Sequence, residues 1–338
     1  MVGRKATFAD VATAAGVSVG TVDRVINARG SVRAATEELV LKCARELQLD
    51  RALHLRPTRL LRLGVLLLNR TDPFLEDLIK GFQTSASDYS YLNIQVKLYL
   101  YGQLDPRVIA AKIVAVGRAC DGLAVNVIDD PLVRTCLAEV AAKKPVFTLV
   151  SDLPDIGRIA YIGANGGAEG RVAGELMGRF VGPQGGQVLL ISGPESFHGH
   201  KERELGFRSV LGKRFPNCVV VGAIKTFEDK KVTWRQTRSA LKEIPGVVGI
   251  YNTSVGSDEI ASALTETGRE HSTTFITHEL TETNRLLLQH GILDAIIDQD
   301  PFSEASMAIQ RFLSFYGRLD VKHMETPFRI YLRESCYS

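Results

Sequence analysis

The chain has 338 residues, of which 45% are hydrophobic and 23% are charged. This composition excludes a mainly disordered chain and is typical of a globular protein with two or three folding units. No run approaches the about 18 apolar residues of a membrane helix, and the first residues lack the apolar stretch of a signal peptide. The five cysteines are scattered, without a Cys-x-x-Cys pair, so we expect free thiols in a cytoplasmic protein.

The formal net charge of +3 is unevenly distributed. Residues 1–62 carry eleven Lys and Arg against six Asp and Glu, whereas the remainder carries thirty against thirty-two. Because the basic excess is confined to the first part of the chain, we predict a polyanionic partner for that part alone.

Two short helices are predicted at the start of the chain, Phe8–Ala15 and Val19–Ile26, with Gly16 between them. A third helix is predicted over residues 34–47. Short helices separated by a glycine turn indicate a helix-turn-helix unit, and a small helical bundle with a solvated polar face is the alternative. The packing face is predicted to comprise Val11, Ala15, Val17, Val22 and Val25, with Leu39, Val40, Cys43 and Leu47 from the third helix.

The outward positions of the second helix are small or polar, which suits a helix that enters the DNA major groove, about 12 Å wide. Arg24 can donate two hydrogen bonds to a guanine, and Val19 can contact a thymine methyl group. Hydroxyl and amide side chains suit phosphate oxygens. The predicted DNA-contacting residues are Thr7, Ser18, Val19, Gly20, Thr21, Asp23, Arg24 and Asn27.

The segments TFADVA (7–12), AGVS (15–18) and TVDRVIN (21–27) together resemble the DNA-binding signature of the LacI–GalR family of transcription regulators. The chain departs from that signature at Asp23, where the family usually has serine. Arg33 likewise replaces the family's serine before the third helix. We expect Asp23 to contact either a base amine, such as cytosine N4, or a neighbouring basic side chain.

Residues 49–62 form a predicted linker. The family resemblance implies a hinge helix here, which orders on DNA and inserts a leucine into the minor groove. Leu53 and Leu55 are the candidate wedges, and Arg56 lies where it can contact phosphate. Pro57 prevents a helix from running through the segment, so a plain basic tether is the alternative.

From residue 63 onward, apolar strands alternate with amphipathic helices, which predicts parallel sheets covered on both faces. Nine strands are many for one sheet, so the fold class is predicted as α/β, with a two-lobed sensor and a small all-α head. The lobes are expected at about 63–162 plus 300–322 and 163–299 plus 323–338, after a head of residues 1–48. The predicted strands are 63–68, 94–100, 122–127, 146–150, 187–192, 219–224, 247–251, 274–277 and 295–298.

Residues 62–335 resemble the periplasmic sugar-binding-protein fold, through NRTDPF (69–74), YIGAN (161–165), GRVAG (170–174) and RELGF (203–207). The resemblance implies a ligand between the lobes, beyond the carboxyl ends of the strands. Taken singly, an Asp after a strand is often a helix N-cap, Phe74 suits a core, and Arg203 suits a surface ion pair. The predicted ligand-binding residues are Asp72, Phe74, Asp152, Arg203, Asn252, His278, Glu279 and Gln299.

These features predict a homodimeric DNA-binding regulator, a repressor released from double-stranded operator DNA by a small sugar, polyol or sugar acid. Corepression by the effector is the alternative sign of control. A solute-binding protein of a transport system would share the sensor fold. The chain has no P-loop, G-x-S-x-G elbow or H-E-x-x-H motif, so we do not expect an enzyme. The pair His198 and His200 has no adjacent acid or cysteine cluster, and neither a metal nor a cofactor is expected.

Overall fold

The structure is a computed structural model that describes residues 6–27, 29, 32–47, 49, 59–69, 72–194, 196–226, 229–321 and 326–336. These residues form a three-helix head followed by two β-sheets with flanking helices. In this part of the chain, no helix is both long and apolar enough to cross a membrane.

The head consists of α1 (Phe8–Ala15), α2 (Val19–Ile26) and α3 (Ala34–Glu46), as the sequence predicts to within one residue. Thr7 and Asp10 form a reciprocal capping box at the start of α1. Gly16 ends α1 with φ 64°, a left-handed conformation that favours glycine. These local signals fix the turn between α1 and α2.

The small core of the head differs from the prediction in α3. Leu39 and Leu47, which were expected to face inward, are 44% and 37% exposed. Leu41 and Ala44 are buried there together with Val40 and Cys43. Leu39 lies off the buried face of α3, and Leu47 is the C-cap residue after the last turn, so both remain partly at the surface.

The first sheet contains five parallel strands in the order β2-β1-β3-β4-β5. Four of them were predicted, but β5 was missed because a strand of three residues is too short to carry a periodic signal. The sheet and the helices packed on it are called the first lobe. Its elements are β1 (Leu61–Leu68), α4 (Pro73–Asp88), β2 (Ile94–Tyr101), α5 (Pro106–Ala119), β3 (Gly122–Val125), α6 (Pro131–Ala141), β4 (Val146–Leu149) and β5 (Ala160–Ile162).

The second sheet has six strands in the order β11-β10-β9-β8-β6-β7, and with its helices it is called the second lobe. All strand pairs are parallel except that β11 runs antiparallel to β10. Its elements are α7 (Gly166–Val181), β6 (Gly186–Ser192), α8 (His198–Arg214), β7 (Cys218–Lys225), α9 (Lys230–Glu243), β8 (Val247–Asn252), α10 (Ser257–Glu266), β9 (Thr274–His278), α11 (Glu282–Gln289), β10 (Ala295–Asp298) and β11 (Arg329–Tyr331).

One helix connects the two lobes. α12 (Pro301–Phe315) begins directly after β10 of the second sheet, yet its buried side chains, including Ile309 and Phe312, belong to the core of the first sheet. It packs against α4. The first turn of α12 therefore lies next to the second sheet while its body is part of the first lobe.

Candidate DNA interface and effector site

The N-terminus of α2 presents small polar groups in a fixed arrangement. Ser18 caps the helix by accepting a hydrogen bond from Thr21 N at 3.1 Å, and its hydroxyl lies 2.9 Å from the Thr21 hydroxyl. Val19 beside them is 48% exposed, although it is apolar. Since a Cβ at Gly20 would have only Ser18 Oγ within 4 Å, at 3.8 Å, the surface is also open to close approach there.

Asp23 has partners within the head. Its carboxylate accepts a hydrogen bond from Asn27 Nδ2 at 2.7 Å and forms an ion pair with Arg29 Nη1 at 2.8 Å. This is the second of the two arrangements expected from the sequence, an acid held by a neighbouring basic side chain. Arg24, on the same helix, donates from Nε to Gly20 O at 3.2 Å, which holds the guanidinium near the first turn of α2.

Thr7 is engaged in the capping box, where its hydroxyl lies 2.7 Å from Asp10 Oδ2. The predicted wedge and phosphate contacts of the linker, Leu53, Leu55 and Arg56, lie outside the described residues, as does Pro57. The structure therefore leaves the linker predictions as they stand.

The second lobe contains a buried polar cluster centred on Arg203 of α8, which is 7% exposed. Its Nε lies 2.9 Å from Glu169 Oε2, Nη1 donates to Thr253 O at 3.1 Å, and Nη2 lies 3.6 Å from Glu279 Oε1. Burial alone would lower the pKa of Arg203, but the charges of Glu169 and Glu279 raise it above its ordinary value. The guanidinium is therefore a fixed positive charge.

The contact between Arg203 and Glu169 depends on glycines in two adjacent helices. A Cβ at Gly170 of α7 would lie 2.0 Å from the backbone oxygen of Arg203, and one at Gly206 of α8 would lie 2.3 Å from Gly167 O. Only residues without a Cβ permit α7 and α8 to approach this closely. The GRVAG and RELGF segments thus bring the two charged side chains together.

The cluster also includes His278, Glu279 and Gln299, which lie at or just beyond the carboxyl ends of β9 and β10. Gln299 Nε2 donates to Glu279 Oε1 at 2.6 Å, and His278 Nε2 lies 2.8 Å from the hydroxyl of Tyr251. Burial raises the pKa of Glu279 to about 8, against a partly compensating effect of Arg203. Burial and the charge of Arg203 lower the pKa of His278 well below its usual value, so this imidazole is neutral.

Glu169 and Glu304 also belong to this neighbourhood, although neither is among the predicted ligand-binding residues. Glu169 is 1% exposed and Glu304, in the first turn of α12, is fully buried. Burial, followed by the charges of Glu279 and Glu169, raises the pKa of Glu304 well above its ordinary value. A usable signal for Glu169 was its place beside glycines at helical spacing (166, 170 and 174), because such glycines favour the close approach of another element.

Asn252 is fully buried, and its side chain orders the turn that follows β8. Its Nδ2 donates to Ser254 O at 2.7 Å and to Thr277 Oγ1 at 3.1 Å, while its Oδ1 accepts from Ser254 N at 3.2 Å. This turn includes Thr253, whose carbonyl oxygen accepts a hydrogen bond from Arg203 Nη1. The structure therefore gives Asn252 a positioning role next to the cluster.

The three candidates from the first lobe have structural partners of their own. Asp72 caps α4, with Oδ1 accepting from Phe74 N at 3.0 Å. Phe74 is 8% exposed and belongs to the core of the first sheet, which corresponds to the core interpretation of this residue and leaves little ring surface for stacking. Asp152 is paired with Arg158 at 2.5 Å and accepts from Thr148 at 2.7 Å. Burial alone would raise the pKa of Asp152, but these hydrogen bonds lower it.

The lobes touch at the segment between β6 and α8. Phe197 of this segment is 8% exposed and packs in the core cluster of the first lobe. The backbone reinforces the contact, because Asp129 N donates to Ser196 O at 2.8 Å and Gly199 N lies 3.5 Å from Ser151 Oγ. The two lobes are therefore in direct contact at the start of α8, the helix that carries Arg203.

Both the head and the sensor match known protein families. Residues 7–49 match the model of the bacterial regulatory proteins of the lacI family, and residues 63–312 match a periplasmic binding protein domain. A ribose operon repressor of Halalkalibacterium halodurans is 24% identical over 258 residues, covering 73% of this chain and 71% of that protein. A ribose operon repressor of Bacillus subtilis is 37% identical over 91 residues, or 25% of this chain and 27% of that protein.

Solved structures share the sensor fold. A solute-binding protein from Burkholderia graminis, in complex with D-arabinose, has a TM-score of 0.76 and 21% sequence identity, and the match covers 84% of this chain and 99% of that protein. A putative LacI transcriptional regulator from Bacteroides fragilis has a TM-score of 0.72, with 18% identity over 82% of this chain and 98% of its own. At these identities the likeness shows the fold, and it confirms the predicted two-lobed architecture.

Proposed function

The chain belongs to the LacI family of bacterial regulatory proteins, and we propose that it is a repressor whose hold on operator DNA is controlled by a small carbohydrate-like effector. The observation that carries the proposal is the buried Arg203 cluster at the carboxyl ends of β8, β9 and β10, in the same chain as a helix-turn-helix head. Relatives named as ribose operon repressors and a fold neighbour that holds D-arabinose support a sugar-type ligand.

The head would bind DNA through α2. Ser18 and Thr21 would contact phosphate, while Arg24 and Val19 would face base edges in the major groove. One such helix reads half a site, so we propose a two-fold homodimer on a palindromic operator. The helices α4 and α5 of the first lobe are the proposed subunit interface, and a cytoplasmic location follows from binding operator DNA.

The effector would bind between the lobes against Arg203, His278, Glu279 and Gln299. Asn252 would act through the turn that it orders. From the first lobe, the proposed contributions of Asp72, Phe74 and Asp152 require a local change, since each has a partner there now. We keep 63–162 plus 300–322 and 163–299 plus 323–338 as the proposed lobe boundaries.

Control of DNA binding would follow from linkage. An effector that binds one lobe arrangement better than another shifts the population toward it, and operator affinity changes if the heads are spaced differently in that arrangement. We propose induction, in which the effector weakens operator binding. In corepression, the effector would instead prefer the lobe arrangement that binds the operator more tightly.

A thermal-shift screen of sugars, polyols and sugar acids tests the effector site. A ligand that raises the melting temperature of the unaltered protein should lose its effect in Arg203→Ala, whereas Arg208→Ala should retain it. Arg208 is a matched control because it lies on the same helix and pairs with Glu204 at the surface. An unchanged shift in Arg203→Ala would place the effector elsewhere.

The alternative function, a solute-binding protein, is separated by deleting residues 1–60. A regulator should lose operator binding and keep effector binding, whereas a solute-binding protein would keep its only activity.

A further inference from the structure

The Arg203 cluster contains more acidic than basic side chains. Glu169, Glu279 and Glu304 surround one arginine, and their side chains are at most 18% exposed. Among the described residues, no hydrogen-bond partner is found for Glu169 Oε1, Glu279 Oε2 or either carboxylate oxygen of Glu304. Because the pKa of His278 is lowered, its imidazole is neutral and adds no positive charge to the cluster. Buried polar atoms normally have partners, so this set of acceptors indicates a missing donor group.

We infer that the effector is an amino sugar or amino polyol whose protonated amine binds among Glu169, Glu279 and Glu304. This inference rests on the proposed function and specifies the ligand class of its site. An ammonium group has three donors and no acceptor, which matches a set of oxygens that lack donors. It also brings a positive charge into a cluster in which three carboxyl groups face one guanidinium.

The other carbohydrate classes fit this arrangement less well. A sugar acid would bring a further negative charge to a site where Arg203 already binds Glu169, Thr253 O and Glu279. A neutral sugar brings no positive charge that could replace the proton of Glu279, so this carboxyl would stay protonated when such a sugar binds. In the described part of the chain, no group of three or more His, Cys, Asp and Glu side chains is arranged to hold a metal ion.

Binding of an amine should also release protons. Burial raises the pKa of Glu279 to about 8 without the ligand, so this carboxyl carries a proton at pH 7, and the pKa of Glu304 is raised in the same direction. An ammonium beside them favours the ionised carboxylates, and the displaced protons pass to the buffer. A neutral sugar causes no such release.

Isothermal titration calorimetry of the full-length protein at pH 7 tests this inference. The amines are D-glucosamine, D-galactosamine, D-mannosamine and D-glucamine, each compared with its hydroxyl analogue and with D-gluconate. We expect at least one amine to bind tenfold or more tightly than its hydroxyl analogue. Its apparent enthalpy should differ between phosphate and Tris buffers by an amount that corresponds to proton release.

Glu304→Gln should reduce the preference for the amine at least fivefold and diminish the proton release, because it replaces an ionisable carboxyl group with a neutral amide of nearly the same shape. Glu204→Gln, on the exposed side of α8, should change neither quantity. If Glu304→Gln fails to fold, the two-buffer measurement on the unaltered protein still decides the question.

Two results would overturn the inference in different ways. Equal or tighter binding of neutral sugars, without proton release, would refute the amine and leave the proposed repressor function intact. Failure of every amine, neutral sugar and sugar acid to bind would refute both the amine and the carbohydrate effector.

Discussion

Glu38 of the head and Arg318 of the sensor form an ion pair, with Glu38 Oε1 3.2 Å from Arg318 Nη2. Arg318 is 4% exposed and also donates to Leu92 O, Asn93 O and Arg59 O. It follows α12, the helix whose first turn carries Glu304. A single helix therefore links the neighbourhood of the effector cluster to the surface on which α3 docks.

Substituting Glu38 should weaken the docking of the head on the sensor without lowering the stability of the sensor. In Glu38→Ala, Arg318 keeps its three backbone acceptors, so the melting temperature of the sensor should change little. The head loses its ion pairs with Arg318 and with Arg59, the latter at 3.3 Å. We expect faster hydrogen exchange in α3, measured by mass spectrometry.

The reciprocal change serves as the contrast. Arg318→Ala removes the guanidinium that donates to Leu92 O, Asn93 O, Arg59 O and Glu38 Oε1, and breaking a buried pair in this way typically costs about 3–5 kcal/mol. Sensor stability should fall markedly in this variant. Equal stability losses in Glu38→Ala and Arg318→Ala would mean that the ion pair does not act as a separable docking contact.

Asp23→Ser should strengthen DNA binding. The substitution removes an acid from the DNA-facing helix and frees Arg29 from its 2.8 Å ion pair. One added phosphate contact should steepen the dependence of log affinity on log salt by about 1. Fluorescence anisotropy across a salt series measures this slope, and an unaltered slope would show that Arg29 does not reach phosphate.

Arg24→Ala should relax the choice of operator. If Arg24 reads a guanine, its loss should cost about 1–3 kcal/mol on the preferred sequence and much less on sequences altered at that base. Competition binding on single-base operator variants distinguishes this from a phosphate contact, which would weaken all sequences alike. Arg179→Ala, at an exposed position of α7, is the control that should have no effect.

The buried Glu279 should make the unliganded sensor less stable as pH rises. Folding raises the pKa of this acid from 4.5 to about 8, so the folded state binds the proton more tightly. Its stabilising contribution is therefore complete below pH 4.5 and is lost as pH rises through 8. The melting temperature of the unaltered protein should fall between pH 5 and 8 relative to that of Glu279→Gln.

Glu204→Gln provides the baseline for this comparison, since its difference from the unaltered protein should not vary across the same pH range. A difference for Glu279→Gln that stayed flat from pH 5 to 8 would mean that the Glu279 carboxyl ionises normally.

The head was predictable because its signals are local. Thr7, Ser18 and Gly16 each specify a cap or a turn within a few residues, and the structure places them as expected. The inward positions of α3 were predicted less well, since Leu39 differs from the buried Leu41 only in phase, and Leu47 is the C-cap residue at the end of the helix. Phase depends on how α3 docks, which no short segment encodes.

The effector cluster was partly predictable for a related reason. Arg203, Glu279 and Gln299 occupy recognisable places near strand ends, but Glu169 and Glu304 are helical acids of a kind that usually faces water. Their burial results from the close approach of α7 to α8 and from the passage of α12 between lobes. Both arise from tertiary packing between segments distant in sequence.

We propose that one chain binds operator DNA and that a buried cluster controls this binding. Fluorescence anisotropy of the full-length protein, with duplex DNA taken from beside its own gene, tests this most directly. We predict salt-sensitive binding that is tighter than binding to random DNA and is weakened by a ligand found in the thermal-shift screen. Equal affinity for both DNAs, with or without ligand, would contradict it.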